Sequence, residues 1–362
     1  MYFGLSEEQT FFQDNVKKFL VDQAPLDVIR QITAEKNTSI QEEIRQGLTN
    51  LGLNALLIPE DYGGLGLDLL FAAAVSEGLG SGVAPIAFTG SYVMAPLAIM
   101  HGGSDVQKEN YLTKISSNTV KFGIGLSEYI GAREDAKLII NGNKVNGKAL
   151  FVIDADDASH FILSDDQGTM FIVDADDSGL EVIELTSVDK TRSYVEILLN
   201  NVTAEILDNT VKNNNAIEKT IDAGRIMLAA DSVGAAQVMI DKSVEYAKER
   251  KQFGRVIGSF QAVKHMCAEM TAELEPCYAI VWHAAHCFDY IPEEARLLAC
   301  QSKSHISEVT KMVAKKATEV HGGMGFTDLL GLHYWFKRIG MNRQLLGSPE
   351  LVRDEAGKIQ GF

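Results

Sequence analysis

Two stretches of this 362-residue chain hold residue types that could grip a phosphorylated, ring-bearing ligand. The first reads Tyr246-Ala247-Lys248-Glu249-Arg250-Lys251-Gln252-Phe253-Gly254-Arg255-Val256-Ile257-Gly258-Ser259-Phe260-Gln261-Ala262-Val263-Lys264-His265. It places a basic cluster at the end of one helical pattern, glycines that break the chain, and Ser259 where it could cap the next helix. Arg250 offers a planar fork for a phosphate, with Gln252 and Phe253 beside it for a base or ring. The same cations could instead complement a helix dipole. The second stretch, Glu319-Val320-His321-Gly322-Gly323-Met324-Gly325-Phe326, has glycines that let a backbone approach a ligand closely, or that merely end a helix.

Other chemistries are excluded by spacing. Asp174-Ala175-Asp176-Asp177-Ser178-Gly179 opens like a calcium loop, but its twelfth position is Leu185 and strand patterns flank it, so these aspartates read as solvated turns. The glycines at 63–66 and 78–80 do not form a dinucleotide fingerprint, and no phosphate-binding P-loop or nucleophile elbow occurs. Cys267, Cys277, Cys287 and Cys300 form no CxxC pair and lie in apolar helical surroundings. They read as free thiols in a reducing cytoplasm, with no metal expected.

The chain carries 49 Asp+Glu against 33 Lys+Arg, a net charge of −16, with 46% hydrophobic residues. The acidity argues against a nucleic-acid footprint. No run of about 18 uncharged apolar residues suggests a membrane span, and the first residues lack a signal-peptide pattern. A soluble, cytoplasmic globular protein is expected. The charge is uneven: 14 acids to 7 bases in 1–118, 16 to 7 in 119–207, and 19 to 19 in 208–362.

Those three blocks also differ in pattern. The first predicts helices near 7–22 (with a Ser6/Gln9 capping box), 40–52, 67–79, 91–101 and 105–116, with an ordered loop in the stretch from Leu51 to Gly66, where Pro59 and glycines break helical continuity. The second predicts short antiparallel strands: a hairpin turning at Asn141-Gly142, another turning at 165–168, and strands near 181–183 and 194–199. The third predicts helices near 213–250, 259–289, 293–319 and 328–346. The fold class is α+β, with an N-terminal helical domain (1–118), a middle antiparallel β-barrel or sandwich (119–207) and a C-terminal four-helix bundle (208–362).

With this order in view, the Arg250 stretch resembles the R-x-Q-F-G-x-x-I-x-x-F-Q signature of the acyl-CoA dehydrogenase family, and the Glu319 stretch resembles its Q-x-H-G-G-x-G-F/Y segment. Pro59-Glu60-Asp61-Tyr62-Gly63-Gly64-Leu65-Gly66 is similar to its P-E-x-x-G-G-x-G loop. The resemblance covers nearly the whole chain. It implies an FAD enzyme that desaturates an acyl-CoA thioester, a carboxylate taking the α proton while hydride leaves the β carbon for the flavin. It further implies that Arg250, Gln252 and Phe253 reach the FAD of a neighbouring subunit, with Gln261 close by and Gly322 and Gly323 along the adenylate. A homo-oligomer, or a heterotetramer with a second acyl-CoA dehydrogenase chain, is then expected, with an electron acceptor such as an electron-transfer flavoprotein.

The departures from that pattern are specific. The usual base, nine residues after an Arg on the last helix, falls from Arg338 onto Gly347; the alternative base falls on Gly224, before Arg225. Glu350 and Asp222 are the nearest carboxylates. The flavin segment reads Ser127-Glu128-Tyr129-Ile130-Gly131-Ala132-Arg133-Glu134, leaving Ser127 as a flavin contact but putting Arg133 near the pyrophosphate path. A later W-I-T contact becomes Phe151-Val152-Ile153, and the adenylate Gln becomes Glu319. Three readings follow: a self-sufficient dehydrogenase, a non-catalytic partner in a heteromeric dehydrogenase for bulky, steroid-like CoA thioesters, or a flavin-dependent hydroxylase relative.

Overall fold

The computed structural model describes residues 4–35, 38–131, 137–210 and 215–362. Its first part is helical: α1 (Glu7–Gln23), α2 (Leu26–Glu35), α3 (Thr38–Asn50), α4 (Leu69–Ser81), a π-helical turn at Thr89–Met94 running into α5 (Ala95–Gly102), and α6 (Asp105–Ser116). α1 starts at the predicted capping box, with Gln9 N–H donating to Ser6 Oγ and Ser6 N–H donating to Gln9 Oε1. The second helix was not foreseen. Pro25 masks its start, yet the Pro25 carbonyl accepts from Val28 and Ile29, and Ile29 and Ile32 are buried. The glycine-rich loop is ordered as expected, because Leu65, Gly66 and Leu67 donate backbone bonds to Ala55, Ile58 and Leu56.

The middle part contains β1 (Phe122–Gly125), the one-turn α7 (Ser127–Ile130), β2 (Lys137–Asn141), β3 (Lys144–Ile153), β4 (His160–Ser164), β5 (Met170–Asp174), β6 (Leu180–Glu184) and β7 (Tyr194–Ile206). They form a sheet in the order β2-β3-β1-β4-β5-β7-β6 that an extra β3–β7 pairing closes into a barrel. Val145, Val152, Phe161, Phe171 and Ile197 are among the residues filling its own core. Two expectations need correction. β1 pairs with β4 in parallel, so the sheet is mixed. The first hairpin turns at Gly142 and Asn143, since Asn141 pairs with Lys144, and Gly142 carries the positive φ of 64°.

The last part opens on α8 (Asn215–Glu249), about 52 Å long at ~1.5 Å per residue. A two-stranded ribbon follows, β8 (Lys251–Gln252) and β9 (Arg255–Val256), and then α9 (Gln261–Tyr290), α10 (Pro292–His321), α11 (Leu332–Gln344) and α12 (Pro349–Ile359). The helix expected at 328–346 is shorter, because two 3-10 turns precede it, and α12 was missed beyond Gly347. Ser259 does not cap α9; its Oγ donates back to the Val256 carbonyl at 2.7 Å. α8 lies backbone to backbone against α4. A Cβ on Gly80 would sit 2.0 Å from the Asp231 carbonyl oxygen, and one on Gly234 would sit 1.9 Å from that of Glu77. Among the described residues, no helix is long and apolar enough to cross a membrane.

One buried polar node joins all three parts. Arg338 on α11 grips Asp231 on α8 through Nε to Oδ1 at 2.9 Å and Nη2 to Oδ2 at 2.7 Å. Its Nη1 donates to the Ala84 carbonyl and to Thr191 in the β6–β7 loop. Asn342 donates to Asp231 and accepts from Arg192. Burial opposes the Asp231 charge, but the Arg338 and Arg192 guanidiniums outweigh it and hold the carboxyl below its ordinary range. Arg338→Leu is expected to cost about 3–5 kcal/mol of stability in denaturant unfolding, because it strands a buried carboxylate. Adding Asp231→Leu should recover part of that loss; strictly additive losses would show that the two residues are uncoupled.

Candidate functional site

α8 ends where its chain turns outward. Arg250 N–H closes the last turn on the Tyr246 carbonyl, and Ile257 N–H returns to the Arg250 carbonyl, so β8 and β9 project as a small arm. Phe253 (φ 54°) and Gly254 (φ 77°) form its tip, and the Phe253 side chain is 91% exposed. Arg250, Gln252 and Gln261 are exposed, and Gln252 donates only to the carbonyl of its neighbour Lys251. The Arg255 guanidinium lies over the Phe260 ring at 4.0 Å, which stiffens the arm's root.

The second predicted stretch stands at the end of α10 as a 3-10 turn, Gly322–Phe326. The space around Cβ positions on Gly322 and Gly323 is open, Glu319 is exposed and Phe326 is 82% exposed. Buried His321 stacks on Tyr246 with ring centroids 4.6 Å apart and makes a 2.7 Å contact from Nδ1 to the Ala317 carbonyl. This stack couples the base of the Arg250 arm to the glycine turn. Sequence reading had the histidine only as part of a glycine motif; a Tyr and a His separated by 75 residues carry no local signal.

The β-domain face is arranged differently. Ser127 Oγ donates to the Leu150 carbonyl at 2.6 Å, and Leu150 N–H donates to Glu128 Oε1. The Ser127 hydroxyl therefore faces any ligand only as an acceptor. Glu128 is buried, its Oε2 has no partner, and burial pushes its carboxyl up to about 7. Tyr129 donates to Glu218 on α8. Phe151 is held at φ 52°, and Ile153 is buried without a hydroxyl. Arg133 lies outside the described residues. A flavin dinucleotide fits the open arm and glycine turn, where a cation, a ring and bare backbone stand exposed. On the β-domain face, the Ser127 hydroxyl proton is already committed to the Leu150 carbonyl.

Both positions where the resemblance expects a base are occupied by glycine and crowded by neighbours. A Cβ on Gly224 would lie 2.5 Å from Leu346 Cδ1 and 2.6 Å from Met94 Sδ. Gly347 has φ 104°, a backbone that L side chains rarely adopt, and its Cβ would meet Val352 at 3.0 Å. Arg225, 1% exposed, holds this segment: its Nε donates to the Leu346 carbonyl at 3.0 Å and its Nη2 pairs with Glu355 at 2.8 Å. Buried Lys303 donates to the carbonyls of Asn342 and Arg343 just upstream, and burial lowers its pKa well below the usual lysine value.

The two substitute carboxylates are not brought together. Asp222 is buried against Arg296 at 3.4 Å and Arg225 at 3.8 Å; burial outweighs these cations and pushes its carboxyl up to about 7. Glu350 is an exposed first-turn residue of α12, paired with Arg343 at 2.9 Å. Glu355, absent from the sequence reading, instead completes the Arg225–Arg296 cluster, at 2.5 Å from Arg296.

Comparison with known proteins agrees with this architecture. The model of the acyl-CoA dehydrogenase N-terminal domain matches residues 6–119, and that of the C-terminal domain matches residues 214–359. A probable acyl-CoA dehydrogenase, YngJ of Bacillus subtilis, is 30% identical over 98% of each chain. The caffeyl-CoA reductase-Etf complex subunit CarC of Acetobacterium woodii is 29% identical over 90% of each. Among solved structures, a variant of the Tcur3481-Tcur3483 steroid ACAD superposes with a TM-score of 0.87 at 25% identity over 98% of each chain. The chain belongs to the acyl-CoA dehydrogenase family, whose members are FAD flavoproteins.

Proposed function

We propose that this chain is the base-less subunit of a two-chain acyl-CoA dehydrogenase, in which a second, carboxylate-bearing chain performs the proton abstraction. The observation that carries this reading is the packing at Gly224 and Gly347. Leu346 and Met94 occupy the space that a side chain at 224 would need, and the φ of Gly347 disfavours any side chain there. Asp222, already held between Arg225 and Arg296, and Glu350, turned to solvent with Arg343, are poor substitutes for a base that must face a substrate α carbon.

In this reading the chain's contribution is its exposed arm. Arg250 pairs with the pyrophosphate of a dinucleotide held on the partner's β domain, while Gln252 and Phe253 pack on its ring system. Gln261 stands at the start of α9 beside them, and Gly322 and Gly323 let backbone run along the adenylate, with Glu319 at the rim. When bound, FAD supplies the hydride acceptor for α,β-desaturation. The exposed apolar side chains Phe253, Phe326 and Leu329 are surface that a partner chain would cover. A bulky, steroid-like CoA thioester is the preferred substrate class, on the likeness to the steroid ACAD. An electron-transfer flavoprotein is the preferred acceptor, on the likeness to a subunit of an Etf complex.

Purified alone, the chain should be colourless and should not be oxidised or reduced by acyl-CoA; stoichiometric yellow protein bleached by an acyl-CoA would contradict the proposal. Within the assembly, Arg250→Ala should weaken flavin retention by about 10- to 100-fold, the loss of one charge-assisted contact of ~1.5–3 kcal/mol. Flavin occupancy unchanged after dialysis would remove Arg250 from the cofactor's contacts.

A further inference from the structure

The corner between α9 and α10 brings together three side chains that nothing in the flavin chemistry uses. His283 and Cys287 lie one turn apart on the same face of α9, and Glu294 returns from the first turn of α10. One ligand atom from each, an imidazole nitrogen, a sulfur and a carboxylate oxygen, lie within 4.8 Å of one another. The corner that aligns them is fixed locally. Ile291 N–H donates to the Cys287 carbonyl, Pro292 opens α10, and Glu294 N–H donates to the Ile291 carbonyl.

We infer that His283, Cys287 and Glu294 form a binding site for a borderline-soft divalent cation of the zinc type. The donor set sorts the metals. Thiolate and imidazole together select zinc over magnesium or calcium, which take oxygen ligands. A tetrahedral ion at about 2.0–2.3 Å from each ligand would need its donors about 3.3–3.8 Å apart. The present spacing therefore closes with an adjustment of about 1 Å, which the exposed Glu294 side chain can supply. Cys287 is fully buried, His283 half-buried and Glu294 exposed. The ion would consequently be anchored from the helix side and keep its fourth position open to water.

This arrangement differs from a surface cluster of acids, because two of the three donors are not carboxylates and the sulfur sits inside the bundle. On binding, the cysteine S–H proton is released to solvent and the Zn–S bond takes its place; no electrons are transferred. The consequence is a clamp across the corner between α9 and α10. α9 is largely exposed along its first four turns, so its placement rests on its later, buried turns, which the clamp would tie to α10.

The test is a Zn2+ titration of the full-length, chelator-treated protein by calorimetry, with X-ray absorption at the zinc edge. One Zn2+ per chain with a sulfur ligand at ~2.3 Å is expected. Cys287→Ser should remove the sulfur signal, and His283→Ala should weaken binding by about 100-fold or more, at least the cost of losing a supporting residue. Glu294→Gln, at an exposed position that leaves the fold intact, should weaken it by about 10-fold. A spectrum without sulfur, or affinity that is the same in wild type and Glu294→Gln, would mean an adventitious ion only and overturn the site.

Discussion

The buried Arg338–Asp231 pair is the constraint on which the rest of this molecule depends. It is the point where α11, α8, the β6–β7 loop and the chain leaving α4 share one set of hydrogen bonds. A guanidinium and a carboxylate taken out of water this completely are stable only with near-complete pairing, so the four elements are held to one mutual placement. That placement fixes the start of the segment running from Arg338 to Gly347. Lys303 on the last α11 carbonyls and Arg225 on the Leu346 carbonyl fix its end.

Once this frame is set, the surroundings of Gly224 and Gly347 follow from packing. Leu346 is drawn down by Arg225 and fills the space beside Gly224 together with Met94. Gly347 then adopts a φ that suits glycine alone. A glutamate at 347 would sit on strained backbone, whereas one at 224 would need the flexible ends of Leu346 and Met94 to move aside. Of the polar groups that remain nearby, Arg296 pairs with both Asp222 and Glu355, while Asp222 Oδ1 is buried without a hydrogen-bond partner. By contrast, the arm at Arg250 to Val256 is open and ordered, and the Tyr246–His321 stack keeps it beside the glycine turn.

Much of this frame was legible in the sequence because it is written in local signals. The capping box at Ser6, the apolar periodicity of α8 to α10 and the turn residues between strands each act within a few positions. The misses follow from the same limitation. α2 lay behind Pro25, β1 was four residues long, and the mixed barrel depends on pairings that span the whole middle block. The glycines at 224 and 347 were visible as departures, but the reason for them was not, since Met94 and Leu346 are far from Gly224 in sequence. Glu355 was invisible for the same reason: it meets Arg225 across 130 residues.

The central claim is that this chain lends contacts to a flavin seated on another chain and seats none of its own. The ratio of flavin to chains in the purified two-chain assembly tests it most directly. One flavin for each pair of unlike chains is the result predicted by an open arm and a Ser127 hydroxyl whose proton is already committed. One flavin for every chain would contradict it.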